Sequence, residues 1–263
     1  MPLRGFAVSV RGASHEKSGL PCQDSARVYI SDSLAIAAVS DGHGSEKHFR
    51  SASGSEMAAR IAIRSVTDFC ERNGSLTAIF AENPENAARR ISANIICSWN
   101  DEIAAHLRFS PLTEREREIS EKYGGLPPEI MYGATLILAA TDGNSTFGLQ
   151  IGDGSFTLEC GGLVEFPMPE DERLMGSLTT SLCDNDAISS FRSFYLPGRV
   201  GSVMLSSDGL INSFVSREDF LSFSRRTAAL SDEELPALEE HLKERSRCGS
   251  QDDISVAVIA LSS

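Results

Sequence analysis

The sequence predicts an α+β fold: a four-layer α-β-β-α sandwich with two mainly antiparallel sheets at its centre. Three observations favour this class. Apolar strands occur as hairpins with short turns, helical periodicities occur in pairs, and each helix pair follows a group of strands. Two sheets stacked face to face, each covered by a helix pair, would bury every apolar surface. The 263 residues are expected to form a single domain, 1–263.

A hairpin is the first element that the pattern predicts. Residues 26–30 and 34–40 are apolar strands on either side of a turn at 31–33. Asp24 precedes this hairpin and Asp41 follows it. Antiparallel pairing therefore brings both carboxylates to the same open end of the sheet. Two like charges held together in this way are hard to explain without a cation.

Two amphipathic helices are predicted after the hairpin. Apolar residues recur at steps of three and four over 57–69, and again over 88–107. Residues 110–130 are first charged and then rich in Gly and Pro, which predicts a surface excursion.

A second hairpin is predicted from residues 133–140 and 145–152, joined by an Asp-Gly turn. It ends at Asp153. The segment 161–200 has no clear periodicity and is expected to contain irregular loops.

The last third of the chain repeats the opening theme. An apolar strand within 201–210 stops at Asp208, and two helices follow it. Ser231 and Glu234 form a capping box for the second of these helices. Asp252 then precedes a final apolar strand.

Composition excludes several classes of partner and site. The net charge of −13 argues against a nucleic acid or an anionic membrane as partner. No apolar run is long enough to span a membrane, and the N-terminus lacks the apolar core of a signal peptide. The six cysteines are scattered without a C-x-x-C pair, so neither a zinc site nor a disulfide framework is expected. Buried, reduced thiols in a cytoplasmic protein are predicted instead.

Five acidic residues share a position at the end of a predicted strand. Rigid strand ends hold carboxylate oxygens in place, and Mg²⁺ and Mn²⁺ prefer such hard oxygen ligands. Two cations about 4 Å apart would relieve the repulsion between the carboxylates and activate a water molecule. The residues concerned are Asp24, Asp41, Asp153, Asp208 and Asp252.

Five motifs occur in a fixed order: "VSDGHG", "YGATLILA", "IGDG", "LSSDGL" and "GSQDDISV". In this order they resemble those of the metal-dependent PPM (PP2C-type) serine/threonine protein phosphatases, and the likeness runs from about residue 11 to 260. The stretch "GASHEKSGLPCQDS" at 12–25 resembles the start of a compact bacterial branch of that family. The resemblance implies the four-layer sandwich and two Mn²⁺ or Mg²⁺ ions, with room for a third.

The resemblance also implies a role for each metal-binding residue. Asp41 would bridge two ions, and the Gly42 carbonyl would contact one of them. Asp208 and Asp252 would complete the ligands of the first ion, while Asp24 would hold water molecules bound to the ions.

Three further positions follow from the same resemblance. Asp153 matches an aspartate associated with a third, weaker ion. His43 matches a histidine that protonates the leaving alcohol, a role that suits an imidazole close to its ordinary pKa. The arginine that clamps phosphate in many members is missing between Ser14 and Asp24, so Arg11, His15 and Lys17 are the candidates and His15 is preferred.

The predicted function is hydrolysis of phosphoserine and phosphothreonine in proteins by a metal-activated water. The resemblance implies a bacterial, cytoplasmic enzyme, expected to be monomeric, that opposes a Ser/Thr kinase. The alternative is a phosphatase-like binding module without turnover, since a fold does not guarantee a function. The altered phosphate clamp, which lacks the usual arginine, keeps this alternative open. Two further departures from the family pattern are Gln23, where some relatives have Glu, and Asp253, where Asn is usual.

Other phosphatase chemistries leave no matching pattern in the sequence. No cysteine has an Arg six residues later, as a cysteine nucleophile would require. The stretch at 184–188 is the nearest match to an aspartate-nucleophile motif, but a poor strand precedes it. The sequence also contains no P-loop.

Overall fold

The structure is a computed structural model that describes residues 3–171, 173 and 179–261. Its strands form two five-stranded sheets in which every described pairing is antiparallel. The first sheet has the order β1-β10-β9-β6-β7, and the second has the order β2-β3-β4-β5-β8. The strands are β1 (Leu3–Val10), β2 (Ser25–Ile30), β3 (Ala35–Ser40), β4 (Leu136–Thr141), β5 (Ser145–Ile151), β6 (Ser155–Cys160), β7 (Leu163–Glu165), β8 (Arg192–Pro197), β9 (Ser202–Ser206) and β10 (Ile254–Leu261).

The helices lie on the two outer faces of the paired sheets. Helices α2 and α4 cover the second sheet, while α9 and α10 cover the first. The described helices are α1 (Ala13–Ser18), α2 (Ser51–Asn73), α3 (Leu76–Glu82), α4 (Pro84–Phe109), α5 (Glu114–Lys122), α6 (Pro128–Met131), α7 (Ala187–Ser190), α8 (Asp208–Ile211), α9 (Arg217–Ala228) and α10 (Leu235–Cys248).

Strand β3 shows how the four layers are held together. Ala37 and Val39 belong to the apolar layer between the sheets, which also contains Leu205 of β9. Ile36 and Ala38, on the opposite face of the strand, pack with the helices of the outer layer. The strand is buried on both faces, so its residues form an unbroken apolar run.

The predicted fold class is confirmed, and so is the geometry of the first hairpin. Ser25 pairs with Ser40 in the ladder between β2 and β3, so Asp24 and Asp41 lie at the same end of the sheet. The capping box of Ser231 and Glu234 is present immediately before α10.

Several elements were not predicted from the sequence. Strand β1 opens the chain and pairs along its whole length with β10, and the short helices α1 and α3 were also missed. The region 110–130 was expected to be a surface excursion and is largely exposed, but the helix α5 within it was not predicted; α5 begins at a capping box of Thr113 and Glu116. The polar composition of this helix hides its periodicity, because it lies at the surface.

The segment 161–200 is more regular than the sequence predicted. It contains β7, α7 and the edge strand β8, which is only half-buried and therefore lacks a continuous apolar run. Residues 172 and 174–178 of the segment lie outside the described residues.

Two further predictions concern membranes and thiols. Among the residues that the structure describes, no helix is long and apolar enough to cross a membrane. The six cysteines are all free, as predicted. Cys97, Cys160 and Cys248 are exposed, however, so the expectation that all six thiols would be buried was wrong.

A partly buried ion pair joins the start of α2 to α5. Arg50 donates from Nε and Nη2 to the two carboxylate oxygens of Glu116, at 2.8 and 2.9 Å. It also donates to the Ser110 carbonyl oxygen and the Tyr132 hydroxyl. The hydrogen bonds from Arg50 lower the pKa of Glu116 from its ordinary 4.5 to about 2.

Replacing Arg50 with Ala is expected to lower the free energy of unfolding by about 3–5 kcal/mol, because it leaves a half-buried carboxylate without its partner. Since the pKa of Glu116 is lowered on folding, the pair stabilises above pH 4.5 and is lost as the pH falls towards 2. Urea unfolding at pH 7 and pH 3 measures both effects. Arg27→Ala breaks the exposed pair with Glu56 and should cost less than about 1 kcal/mol; equal costs for the two variants would contradict this account.

Candidate metal centre

Five aspartates from both sheets converge at one end of the sandwich. We refer to them as the acidic cluster: Asp24, Asp41, Asp153, Asp208 and Asp252. Asp24 and Asp252 precede β2 and β10, Asp41 follows β3, Asp208 begins α8 after β9, and Asp153 lies in the turn between β5 and β6. Each of the five shifts the pKa of at least one other member, so the carboxylates lie within electrostatic range of one another.

Asp41 and Asp208 form the centre of the acidic cluster. Their carboxyl groups are close enough to share a proton, although the residues are far apart in the sequence. Burial raises the pKa of Asp41 well above its ordinary value, and the charges of Asp24 and Asp208 add to this effect. A site that raises the pKa of its carboxylates favours either protons or cations.

Asp24 is the member of the cluster whose carboxylate keeps a buried oxygen without a hydrogen bond. Burial raises its pKa to about 8, with further contributions from Asp253, Asp252 and Asp208. A contact with the Ser207 hydroxyl partly offsets the increase. Its Oδ2 atom is nevertheless buried without a hydrogen-bond partner. An orphaned carboxylate oxygen among other carboxylates is suited to a cation or to water bound by one.

The remaining carboxylates lie nearer to solvent. Burial raises the pKa of Asp208, and so does the neighbouring charge of Asp153. Asp252 and Asp153 are exposed at the mouth of the cluster. In the described part of the chain, no three His, Cys, Asp or Glu side chains are already arranged as metal ligands, so the cluster is not a closed cage. Mg²⁺ and similar ions keep several waters and do not need such a cage.

Gly42 lies where the chain leaves the strand that carries Asp41. A Cβ atom at this position would come within 2.6 Å of the Gln23 carbonyl oxygen and 2.8 Å of that of Ser51. This close approach of protein backbone was not predicted from the sequence, and it requires glycine whether or not an ion is bound. At Gly44 the nearest atom would be 3.7 Å away, so that glycine is not required for steric reasons.

Asp253 connects three parts of the chain beside the cluster. Its Oδ1 accepts a hydrogen bond from the Gly12 amide at 2.5 Å, and its Oδ2 accepts one from the Gln23 amide at 2.6 Å. The same Oδ2 lies 2.9 Å from Nδ1 of His15. Asp253 is 3% exposed, so this buried carboxylate positions both the His15 ring and the loop that leads to Asp24.

His15, the preferred phosphate contact, does lie beside the cluster, because its charge lowers the pKa of Asp252. The two other candidates are engaged elsewhere. Arg11 donates to the His15 carbonyl oxygen, and Lys17 donates to the side chain of Gln251.

His43 turns its Nε2 atom towards the segment that follows β7 rather than into open space. This atom lies 2.7 Å from the Ser181 hydroxyl oxygen, and the ring lies 4.7 Å from the ring of His48. Burial lowers the pKa of His43 to about 4, and the charges of His48 and Lys47 contribute. The expectation of an ordinary pKa was therefore wrong for this conformation, because it ignored burial.

Comparison with known proteins identifies the family. A model of the family described as protein phosphatase 2C matches residues 11–245. The chain belongs to the protein phosphatase 2C family. The match covers most of the chain, including four of the five residues of the acidic cluster.

Individual members of this family resemble the chain only distantly in sequence. Serine/threonine-protein phosphatase 3 of Escherichia coli (strain K12) is 24% identical over 256 residues, which cover 93% of this chain and 90% of that protein. The catalytic domain of the serine/threonine protein phosphatase PstP, solved with two manganese ions, has a TM-score of 0.58 and 21% identity, with 99% of each chain covered. PppA of Pseudomonas aeruginosa has a TM-score of 0.63 and 18% identity, with 99% of this chain and 98% of PppA covered. These structures show that the PP2C fold is shared.

Two residues near the PP2C site were not identified as functional from the sequence. Asp253 was noted only as a departure from the usual Asn, although its position next to Asp252 was a usable signal. Ser181 lies in the segment without periodicity, and no sequence signal places it beside His43.

Proposed function

We propose that this PP2C-family protein removes phosphate from phosphoserine and phosphothreonine in proteins, with Mn²⁺ or Mg²⁺ held by the acidic cluster. The observation that carries the proposal is the convergence of the five aspartates from both sheets on one rim. The raised pKa values of Asp24, Asp41, Asp208 and Asp252 fit divalent cations, and so does the orphaned oxygen of Asp24. PstP holds two manganese ions, and another structure of this fold was determined with magnesium.

Within this proposal each member of the cluster has its own role. Asp41 would be a ligand of two ions, Asp208 and Asp252 would complete the ligands of one, and Asp24 would hold waters on the ions. The Gly42 carbonyl oxygen would be a further ligand. When bound, the ions supply a nucleophilic water and neutralise the charge of the phosphoryl oxygens.

Asp153 is proposed as a ligand of a third, weaker ion. It lies in a turn and is exposed, and its charge acts on Asp208. A single exposed carboxylate at the edge of a cluster holds a cation less tightly than buried ones do, because water screens its charge.

His15 is proposed to contact the substrate phosphate in place of the missing arginine. Asp253 occupies Nδ1 of the ring, so Nε2 is the atom left to meet a phosphoryl oxygen. A carboxylate that holds one nitrogen of an imidazole sets the tautomer and the orientation of the ring.

His43 is proposed to deliver the proton to the departing serine or threonine oxygen. Its low pKa keeps the ring neutral near pH 7 in the described conformation. A phosphoryl group that arrives beside the ring would favour the charged imidazolium and raise this pKa. The substrate oxygen would take the place of the Ser181 hydroxyl at Nε2.

A comparison of two substrates tests this function. The protein with Mn²⁺ should hydrolyse both a phosphothreonine peptide and p-nitrophenyl phosphate, and EDTA should stop both reactions. For His43→Asn we expect kcat on the peptide to fall about 10²–10⁴-fold. Hydrolysis of p-nitrophenyl phosphate should change little, because p-nitrophenolate leaves without a proton. An equal loss on both substrates would contradict the proton-donor role of His43.

If calorimetry shows no Mn²⁺ or Mg²⁺ binding and neither substrate is hydrolysed, the binding-module alternative is favoured.

The cellular setting is also part of the proposal. We place the enzyme in the cytoplasm as a monomer with one phosphatase domain over 1–263, opposing a Ser/Thr kinase of the same pathway. Phosphoproteomics after deletion of the gene would identify the substrates as proteins whose phosphorylation increases.

A further inference from the structure

A large groove lies next to the proposed catalytic histidine. Its volume is about 1080 Å³, and it lies between α4, the segment around α6 and the segment 182–193. Ile96, Leu149 and Leu182 contribute apolar surface to its lining. We call it the acidic groove because of the charges described next. A groove of this volume is large enough for a peptide of several amino-acid residues.

The charge of the acidic groove is mainly negative. Among the residues that the structure describes, four carboxylates line it, and Arg89 is the one basic side chain in the lining. Asp184 accepts a hydrogen bond from the Ser181 amide, and Asp186 lies 3.8 Å from Arg173. The other two carboxylates are those of Glu85 and Glu129, which make no ion pair with any residue that the structure describes. Their charges are therefore available to a ligand.

The groove is connected to His43 through two neighbouring residues, Ser181 and His48. Ser181 precedes Leu182 of the lining, and its hydroxyl oxygen lies 2.7 Å from Nε2 of His43. Ile130, also in the lining, accepts a hydrogen bond from His48 through its carbonyl oxygen. The rings of His48 and His43 are in contact. A peptide whose phosphorylated residue is bound at the acidic cluster can therefore extend into the groove.

We propose that the acidic groove docks a cationic segment of the phosphoprotein substrate, with Arg or Lys residues beside the phosphorylated residue. This inference rests on the proposed phosphatase function and specifies its substrate class. The aliphatic stem of Arg or Lys would cover the apolar lining while its charged head reaches the carboxylates. An acidic segment would be repelled, and so would a second copy of a chain with a net charge of −13.

Two phosphothreonine peptides that differ only in their flanking residues, Arg in one and Glu in the other, test this preference. We expect the protein to favour the Arg peptide, and the preference should weaken with added salt. In the double variant Glu85→Lys with Glu129→Lys, kcat/KM for the Arg peptide should fall about tenfold. The value for the Glu peptide should rise, and hydrolysis of p-nitrophenyl phosphate should be unchanged.

Glu218→Lys is the matched control for charge reversal. Glu218 is exposed in the first turn of α9, as Glu85 is in the first turn of α4, but α9 packs on the other sheet of the sandwich and lines no part of the groove. This variant should leave both peptide rates unchanged. Equal loss in the double variant on all three substrates, or no preference in the wild-type protein, would overturn the inference.

A binding measurement separates this inference from the proposed function. Fluorescence anisotropy of a labelled, unphosphorylated Arg peptide reports docking without turnover. Weaker binding to the double variant than to the wild-type protein would support the groove even if no substrate were hydrolysed. Equal binding to both proteins would reject it even if hydrolysis were normal.

Discussion

Asp41→Asn is expected to abolish metal-dependent phosphate release, with kcat lower by about 10³-fold or more. The charges of Asp24 and Asp208 both act on Asp41, which is proposed as a ligand of both ions, so its loss should disturb the whole acidic cluster. Phosphate release from a phosphothreonine peptide in Mn²⁺ measures this effect. Turnover at the wild-type rate would refute the assigned site.

The same substitution should have the opposite effect on the stability of the metal-free protein. The pKa of Asp41 is raised on folding, so the folded protein binds its proton more tightly than the unfolded chain does. The charged carboxylate therefore destabilises the metal-free fold increasingly as the pH rises above its ordinary pKa of 3.8. Asn carries no charge, so we expect Tm in EDTA at pH 7 to rise by a few degrees.

Mn²⁺ distinguishes this explanation from a general loss of structure. The Tm of the wild-type protein should increase with Mn²⁺ through binding to the folded state, whereas the Asp41→Asn variant should respond much less. A variant that is less stable than the wild-type protein in EDTA, with an undiminished Mn²⁺ response, would show that Asp41 serves the fold rather than the ions.

Asp253→Ala is expected to affect both stability and catalysis. It leaves the amides of Gly12 and Gln23 and the ring nitrogen of His15 without their acceptor in a buried position. Each unsatisfied group costs about 1–3 kcal/mol, so the free energy of unfolding should fall by about 3 kcal/mol or more. Urea unfolding of the metal-free protein measures this loss.

The catalytic effect of Asp253→Ala should come from the freed His15 ring and the loosened loop before Asp24. We expect kcat/KM for a phosphopeptide to fall about 10–100-fold, the range for residues that position others at metal sites. Nitrogen chemical shifts of the His15 ring should show a mixture of tautomers in place of one. Asp253→Asn keeps one acceptor oxygen and should lie between the wild-type protein and the Ala variant in stability.

Asp142→Ala is the matched control for a lost carboxylate hub. Asp142 accepts hydrogen bonds from the amides of Thr77 and Ser145, at the opposite end of β4 from Thr135, which contacts Asp41. Its removal should also destabilise the protein but leave kcat/KM unchanged in the folded enzyme. If Asp253→Ala and Asp142→Ala both lowered kcat/KM only in proportion to the loss in free energy of unfolding, Asp253 would have no positioning role.

Local patterns were enough to predict the layers and most of the acidic cluster. The ladder that pairs Ser25 with Ser40 follows from a hairpin with a short turn, so the shared end of Asp24 and Asp41 could be inferred from spacing. The helices over 57–69 and 88–107 were predicted from their apolar periodicity, because a buried helix face recurs every three to four residues. Strand β1 and helix α5 carry weaker patterns, since β1 is only half-buried along most of its length and α5 is largely polar.

The sequence by itself determined the layered fold, the family motifs and the acidic residues at the strand ends, because each depends on short-range periodicity or spacing. Only the tertiary structure decided the surroundings of those residues. It placed Asp253 against Gly12 and Gln23, His43 against Ser181, and the acidic groove beside both histidines. The contacts of Asp253 and His43 join residues that lie more than 130 positions apart. They arise from the way the two sheets and their helices pack, and the sequence carries no periodic pattern that reports this packing.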